Sequence, residues 1–488
     1  LAGALVPLEE AEAVFNRRRA QGDSWEVLVV GLATTLQLRA AVLGSQKMFP
    51  DAFAAGDAGL ALLRPLAAMP DATLNVQRGL GESLHLYGFN LLRSGQVEKS
   101  IEHFQEARQI FSKLGAPGLA DLANAALYGS SAVWMGEAFE TLGNVAQSRA
   151  SYQEAYAVTT SVLDAMPGHS TAMSAKAIAV GSLGRLEAND GRIGRAIELS
   201  AEHAEIYRAM LKTAPTNAAA NNNLGVAYGD TAGYLFDAGR FEEARDMMRA
   251  ATSVGDKMPD RSYLAPNLVF WFGDLAEFES ELGDESAAGK AMLEAKRLLD
   301  TEFTRAQADF STVELRQRYP GTQARLFLAA NDYPQALEIT RSVLREFEAL
   351  DAPSTGAEQQ KRFWLSWNAQ VGAVAEYELG NFPAAEKYAR SSVENWQALK
   401  YSGLRHELFG AQNKTLLAQS IARQGRTAES MEILRPLLKF FREQRARPHE
   451  NRMLDFQYAH ALYAAALAEP AEREARLAEA SAVLDRLP

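Results

Sequence analysis

Gly239-Arg240-Phe241-Glu242-Glu243-Ala244 sets a pattern: a turn former, one or two polar residues, an apolar residue, two further residues and a small one. The phrase occurs earlier as Gly95-Gln96-Val97-Glu98-Lys99-Ser100, Gly143-Asn144-Val145-Ala146-Gln147-Ser148 and Gly191-Arg192-Ile193-Gly194-Arg195-Ala196, 48 residues apart each time. It continues as Gly283 to Ala288, Asn331 to Ala336, Gly380 to Ala385, Gly425 to Ser430 and, more weakly, Ala475 to Ala480; upstream it is Lys47 to Ala52. The closing small residues fall at 52, 100, 148, 196, 244, 288, 336, 385, 430 and 480. A phrase held at that spacing marks a stack of repeated units, each burying its apolar side only against the next.

Prolines run in step with it. Pro70, Pro117, Pro167, Pro215 and Pro259 fall between the phrases, where helices must end. Pro50, Pro334 and Pro383 stand two residues before the small residue, in a first helical turn whose N–H groups are unpaired anyway. The glycine is therefore a turn between two helices. After it, Ala244, Met248 and Ala251 share one face, as do Ser100, Phe104 and Ala107, Ser148, Tyr152 and Ala155, and Ala288, Met292 and Ala295. Before it, small residues come in pairs a heptad apart: Gly81 with Gly88, Gly129 with Gly136, Gly225 with Ala232. Glycine costs roughly 1 kcal/mol in a helix relative to alanine. Its recurrence there predicts close helix–helix contact, with large residues of a neighbour filling the gap.

Leu224-Gly225-x-x-Tyr228, the phrase at 239–244 and Pro259 together resemble the tetratricopeptide signature. The resemblance covers residues 24–488 and is clearest over 80–300. It implies an all-α, right-handed α-solenoid (superhelix) of about ten helix-turn-helix repeats, ending near 70, 117, 167, 215, 259, 308, 353, 401, 448 and 488. The family's usual unit is about 34 residues; the longer unit here is read as about two extra turns in each helix. Residues 1–23 are expected to be a linker or capping helix. Long-unit arrays of this kind resemble sensor or scaffold parts of bacterial multidomain signalling and defence proteins. There an effector such as a TIR domain, a kinase or a nucleotide-switch module lies elsewhere in the polypeptide.

Composition narrows the chemistry. The 488 residues are 47% apolar and 23% charged, the balance of a well-folded chain. A net charge of −11 argues against nucleic acid as a partner. The absence of cysteine removes disulfides, thiolate metal sites and cysteine nucleophiles. Seven histidines, at 85, 103, 169, 203, 406, 449 and 460, form no His-x-x-x-His pair. Gly283 to Lys290 only faintly resembles a phosphate loop, and it lies in a repeat turn. No cofactor, metal or catalytic site is expected. An enzyme would need acids or histidines clustered in a deep pocket. No uninterrupted run of 18 apolar residues exists, so no membrane span is expected within the chain. Leu1-Ala2-Gly3-Ala4-Leu5-Val6-Pro7 is read as a trimmed end, or as the tail of a linker or membrane helix in a longer polypeptide. The expected compartment is the cytoplasm; the alternative is the periplasm, tethered by a helix before Leu1.

The expected function is a non-catalytic scaffold binding a protein or peptide partner, with self-association possible. First helices should line a concave groove. Its candidate residues are His85, Phe89, Glu137, Glu140, Arg185, Asn222, Phe236, Phe270, Glu277, Arg318, Arg325, Trp367 and Gln370. In Phe270-Trp271-Phe272 and Phe363-Trp364-Leu365-Ser366-Trp367, neighbours differ by about 100° around a helix, so each cluster must serve more than one surface. Arg442, Arg445, Arg447 and Arg452 around Pro448, interleaved with Glu443 and Glu450, are read as a solvated stretch, like Arg17-Arg18-Arg19.

Overall fold

A computed structural model describes residues 4–485 except 23–25, 116–120, 259, 304–309, 353, 401–402, 448 and 450. Leu1-Ala2-Gly3, Pro117, Pro259, Pro448, Glu450 and the expected repeat ends near 117, 259, 308, 353, 401, 448 and 488 lie outside the described residues. Among those described there is no strand. Helices come in consecutive pairs, and contacts group the chain into two compact units, 1–183 and 184–488.

The first unit holds α1 (Leu5–Ala20), then α2 (Glu26–Ser45) with α3 (Phe49–Ala67), α4 (Leu74–Arg93) with α5 (Val97–Lys113), α6 (Leu122–Thr141) with α7 (Val145–Ala165), and most of α8 (Ser170–Asn189). The second holds the end of α8, then α9 (Ile193–Thr213), α10 (Ala218–Asp237) with α11 (Phe241–Ser253), α12 (Ala265–Glu281) with α13 (Glu285–Glu302), and α14 (Phe310–Ala329) with α15 (Tyr333–Ala349). It continues with α16 (Thr355–Glu378) and α17 (Phe382–Gln397), α18 (Leu404–Ala422) and α19 (Thr427–Arg445), then α20 (Arg452–Ala468) and α21 (Arg473–Leu484). In the first unit α2 touches α4 and α4 touches α6; in the second, each first helix from α10 to α20 touches the next. Among the described residues each unit is thus an all-α series of helix pairs, ten in all when α8 and α9 are counted as the fourth. The extra length over the usual tetratricopeptide unit sits in the helices: α4 and α6 have 20 residues each, α5 has 17 and α7 has 21.

The recurring phrase closes each turn in one way. Gly95, Gly143, Gly191, Gly239, Gly283, Gly380 and Gly425 have φ between 74° and 85°. The next residue's N–H then reaches back to a carbonyl five positions earlier, as from Gln96 to Leu91 (2.9 Å), Asn144 to Phe139 (2.8 Å) and Arg240 to Leu235 (2.9 Å). Asn144, Asp284 and Asp332 also cap the following helix with their side chains. Lys47 and Asn331 hold the same left-handed conformation without being glycine, at φ 61° and 60°. For lysine that costs roughly 1 kcal/mol. Lys47→Gly is therefore expected to stabilise the first unit by up to about 1 kcal/mol, read as a higher denaturant midpoint. The tenth turn differs from its expected place: Ala475 lies inside α21, and the break falls at Glu469 and the short 3-10 turn Pro470–Glu472.

Several small residues of the first helices receive large neighbours, whereas Gly129 meets the small Thr159 methyl, at 2.7 Å. A Cβ on Gly88 would lie 3.0 Å from the Phe104 ring, and one on Gly136 2.6 Å from the Tyr152 ring. At Gly372 the nearest atom is in Tyr388, at 3.1 Å. Gly81 meets Phe111 at 2.8 Å, and Gly225 meets Trp271 at 2.2 Å. Phe104, Tyr152 and Phe111 are fully buried. Gly88 with Phe104, Gly136 with Tyr152 and Gly372 with Tyr388 share one 16-residue spacing inside a helix pair. Prolines 50, 334 and 383 sit in first turns as expected. Pro65, Pro320 and Pro436 lie inside helices, against the expectation that prolines only mark ends.

α2 also departs from the sequence reading. It is long and apolar enough to cross a membrane, with mean hydropathy 1.7 over its most apolar window. In this unit it packs as the first helix of a pair against α3 and α4. Its Gln37 is buried and donates to the Gly56 carbonyl at 2.8 Å, and its Arg39 pairs with Glu12 at 2.7 Å.

Candidate binding chamber

Polar contacts inside each unit mostly join neighbouring pairs. His85 meets Ser131 (2.9 Å), Asn267 donates to Asn222 (2.8 Å), Arg325 pairs with Glu277 (3.0 Å), and Trp364 donates through Nε1 to Glu314 (2.8 Å). One ion pair in the second unit breaks that rule. Arg405, at the start of α18, lies 3.1 Å from Asp237, at the end of α10, close but not aligned as a hydrogen bond. Two glycine contacts accompany it. A Cβ on Gly403 would fall 2.7 Å from the Asn189 carbonyl oxygen, and one on Gly191 2.7 Å from Leu404. Gly239 similarly faces Arg452 at 3.1 Å. The beginnings of α18 and α20 thus return onto the ends of α8 and α10.

That return forms one side of a half-open chamber of ≈600 Å³. Its lining comes from the end of α8 and from α10, α12, α14, α16, α18 and the region opening α20, with Met248 of α11. Arg318 is 7% exposed, pairs with Asp274, and lies over the rings of Phe270 (5.7 Å) and Trp364 (5.3 Å). Arg325 sits 4.5 Å over Trp367 while pairing with Glu277. Phe236 stacks on Phe278 at 5.1 Å. Protein surrounds Asp274 and Arg405, yet 37% and 36% of their side-chain surface stays accessible, because that surface is turned into the chamber.

Burial sets the electrostatics. It raises the Asp274 carboxyl, with Arg318 pulling it down, and raises Asp237 against the pull of Arg405. Asp237 in turn holds the Arg405 guanidinium charged, against its own burial. Asp230 is pushed up to about 6 by burial, opposed by Arg185 and Arg405. Tyr234 is raised by burial and by Asp230.

The chamber brings together eight of the groove candidates: Arg185, Phe236, Phe270, Glu277, Arg318, Arg325, Trp367 and Gln370. The other five are elsewhere. His85 is buried against Ser131 and Phe104 in the first unit, and burial lowers its imidazole to about 4. Phe89 packs edge-on against Trp134 at 4.6 Å. Glu137 is exposed, and Glu140 accepts from the Tyr152 hydroxyl at 3.2 Å. Asn222 faces Asn267. Each aromatic cluster does divide its surfaces: Trp271 is buried on Gly225, while Phe270, Phe363 and Trp367 reach the chamber.

Sequence reasoning passed over Asp230, Asp237, Asp274 and Arg405, and named Trp364 only within its aromatic cluster. The signal was a drift in register. Counted back from each closing small residue, Arg185 stands 11 before, Asp230 and Asp274 14, Arg318 18, Trp364 21, Arg405 25 and Asn451 29. Most steps are three or four residues, one helical turn, so one face is kept while the lining climbs toward the start of successive helices. A groove drawn level across the repeats misses the acids on α10 and α12 and the arginine opening α18.

No protein-family model matches the sequence, and no curated protein matches it. Among solved structures, the apo form of RapI superposes with a TM-score of 0.56 at 10% identity, over 80% of this chain and 93% of that one. The fold is that of a tetratricopeptide-type helical-repeat protein. A Rap protein complexed with competence and sporulation factor gives 0.45 at 11% identity, over 81% and 97%. Yeast Tom70 gives 0.36 at 14%, over 100% and 99%. At such identities the likeness is one of backbone architecture. What this repeat protein binds must be read from its own side chains.

Proposed function

We propose that the chain is a non-catalytic interaction scaffold whose second-unit chamber holds a short segment of a partner polypeptide. The observation that carries this reading is the lining itself. Fixed charges, aromatic faces and side-chain amides from consecutive first helices converge on one half-open space of ≈600 Å³. That volume suits a ligand or segment of a few residues. Phe270, Phe363 and Trp367 supply the rigid aromatic surface common at binding hot spots. Gln370 and Gln412, both part-exposed, can each donate and accept, as an extended backbone requires. Against a catalytic reading, the lining contains no histidine, and its acids other than Asp230 and Glu281 are held by arginines.

The test is binding of a random-sequence heptapeptide library to the intact chain, followed by affinity measurement on selected peptides. Trp367→Ala is expected to weaken them about tenfold or more, the usual size for losing an aromatic anchor. Leu293→Ser, on the exposed face of α13, should leave affinity unchanged. Circular dichroism should show equal helicity in all three proteins. Equal affinities throughout would place the binding surface outside the chamber.

A further inference from the structure

We propose that the chamber recognises its ligand through a cationic nitrogen, an ammonium or guanidinium with N–H donors, seated on the Asp230 carboxylate. This rests on the chamber reading above and identifies the charge which that reading leaves open. Five acids line the chamber: Asp230, Asp237, Asp274, Glu277 and Glu281. Three are held within it: Asp237 by Arg405, Asp274 by Arg318, and Glu277 by Arg325. Glu281 is exposed. Asp230 lines the same space but makes no hydrogen bond or ion pair among the described residues. The fourth lining arginine, Arg185, is engaged in interactions of its own.

Gly229 and Gly233 lie beside Asp230 on one side of α10 and line the chamber; a Cβ on Gly229 would meet Trp271 at 3.2 Å, and one on Gly233 the Arg405 guanidinium at 3.7 Å. The charged and titratable groups around it are Arg185 from α8, Tyr234 and Asp237 from α10, and Arg405 from α18. Beyond them in the lining lie the Asp274–Arg318 and Glu277–Arg325 pairs of α12 and α14. Arg185 and Arg405 favour the ionised carboxylate and burial opposes it, which leaves the group at about 6 and mostly charged at neutral pH. The Asp230 carboxylate has no fixed donor among the described residues, and a cationic N–H donor supplies one. The faces of Phe236, Phe270 and Trp367 line the same space and suit both the cation and the methylenes carrying it. A lysine or arginine side chain and a free amino terminus share this chemistry.

The experiment uses the full chain and the heptapeptide library in two forms, with free and with acetylated amino termini. Bound peptides are expected to carry Lys or Arg at one position, or to require the free terminus; the first outcome assigns the cation to a side chain and the second to the chain end. Asp230→Asn, isosteric and lacking the charge, should weaken the selected peptides about tenfold or more. Removing the basic group from the peptide should cost the wild-type protein as much and cost Asp230→Asn little further. Wild-type affinity should fall as pH drops through about 6, where Asp230 takes up a proton, and the Asp230→Asn profile should be flat there. Peptides that bind without a basic preference, yet are lost on Trp367→Ala, would overturn the Asp230 assignment and leave the chamber reading intact. Enrichment of acidic peptides would do the same. Failure of the wild-type chain to retain any peptide would overturn both.

Discussion

Gly225→Ala should destabilise the second unit by about 2–3 kcal/mol, while Gly289→Ala should stabilise it by about 1 kcal/mol. Both glycines lie inside helices, α10 and α13, so the substitution improves local helix propensity equally at each. The surroundings decide the sign. Around Gly289 an added Cβ meets nothing within 4 Å. At Gly225 it would lie 2.2 Å from one Trp271 ring atom and 2.5 Å from the next. Trp271 is 6% exposed, so its ring cannot swing away into water. Overpacking of this kind typically outweighs the propensity gain. Denaturant unfolding of both variants checks the claim. A neutral Gly225→Ala would mean that α10 and α12 pack more loosely than their glycine–tryptophan contact indicates.

Arg405→Met should destabilise the second unit by roughly 2–3 kcal/mol at pH 8 and by clearly less at pH 5. The figure is set below the usual cost of breaking a buried pair because Arg405 keeps 36% of its side chain accessible. Methionine keeps most of the apolar stem and removes the charge. Asp237 is then left with 9% of its side chain accessible and no counterion. Its carboxyl is already raised by burial, with Arg405 the opposing influence, so losing Arg405 raises it further. A group whose folded-state pKa lies above its unfolded value binds more protons when folded. The variant's stability therefore falls as pH rises through that interval and recovers as pH drops. Unfolding free energies for wild type and variant across pH 5–8 test this. A deficit independent of pH would mean that Arg405 matters for packing and not for Asp237.

Much of the fold was legible because the repeat writes its rules into small residues. The left-handed turn needs glycine at 95, 143, 191, 239, 283, 380 and 425, and the phrase marks those turns directly. The glycines at 81, 88 and 136 announced their contacts because a helix carries glycine at a cost unless something large needs the room; Gly129, whose nearest neighbour is the Thr159 methyl, did not follow the rule. The tenth turn was placed late because Ala475 fitted the phrase, while Pro470 ended the previous helix sooner. α2 was not read as a long apolar helix because Gln37 and Arg39 interrupt its apolar run; Gln37 donates to the Gly56 carbonyl and Arg39 pairs with Glu12.

The chamber was half legible. Helical period alone placed Arg185, Arg318, Arg325 and Trp367 on the inner face, since each sits one residue after a small position or a step of three or four from there. The return of α18 onto α8 and α10 has no local signature. It comes from small rotations summed over several pairs, and its only sequence traces are a glycine at 403 and the turn-by-turn climb from Arg185 to Asn451.

That return is the claim on which the chamber depends, and the pair that joins α18 to α10 tests it directly. Arg405 and Asp237 stand 168 positions apart in the chain and 3.1 Å apart in space. A double-mutant cycle of unfolding free energies, with Arg405→Met, Asp237→Asn and the double variant, should give a coupling of about 1 kcal/mol or more at pH 8. Strictly additive effects in fully helical proteins would show that α18 stands away from α10, and that the second unit has no such chamber.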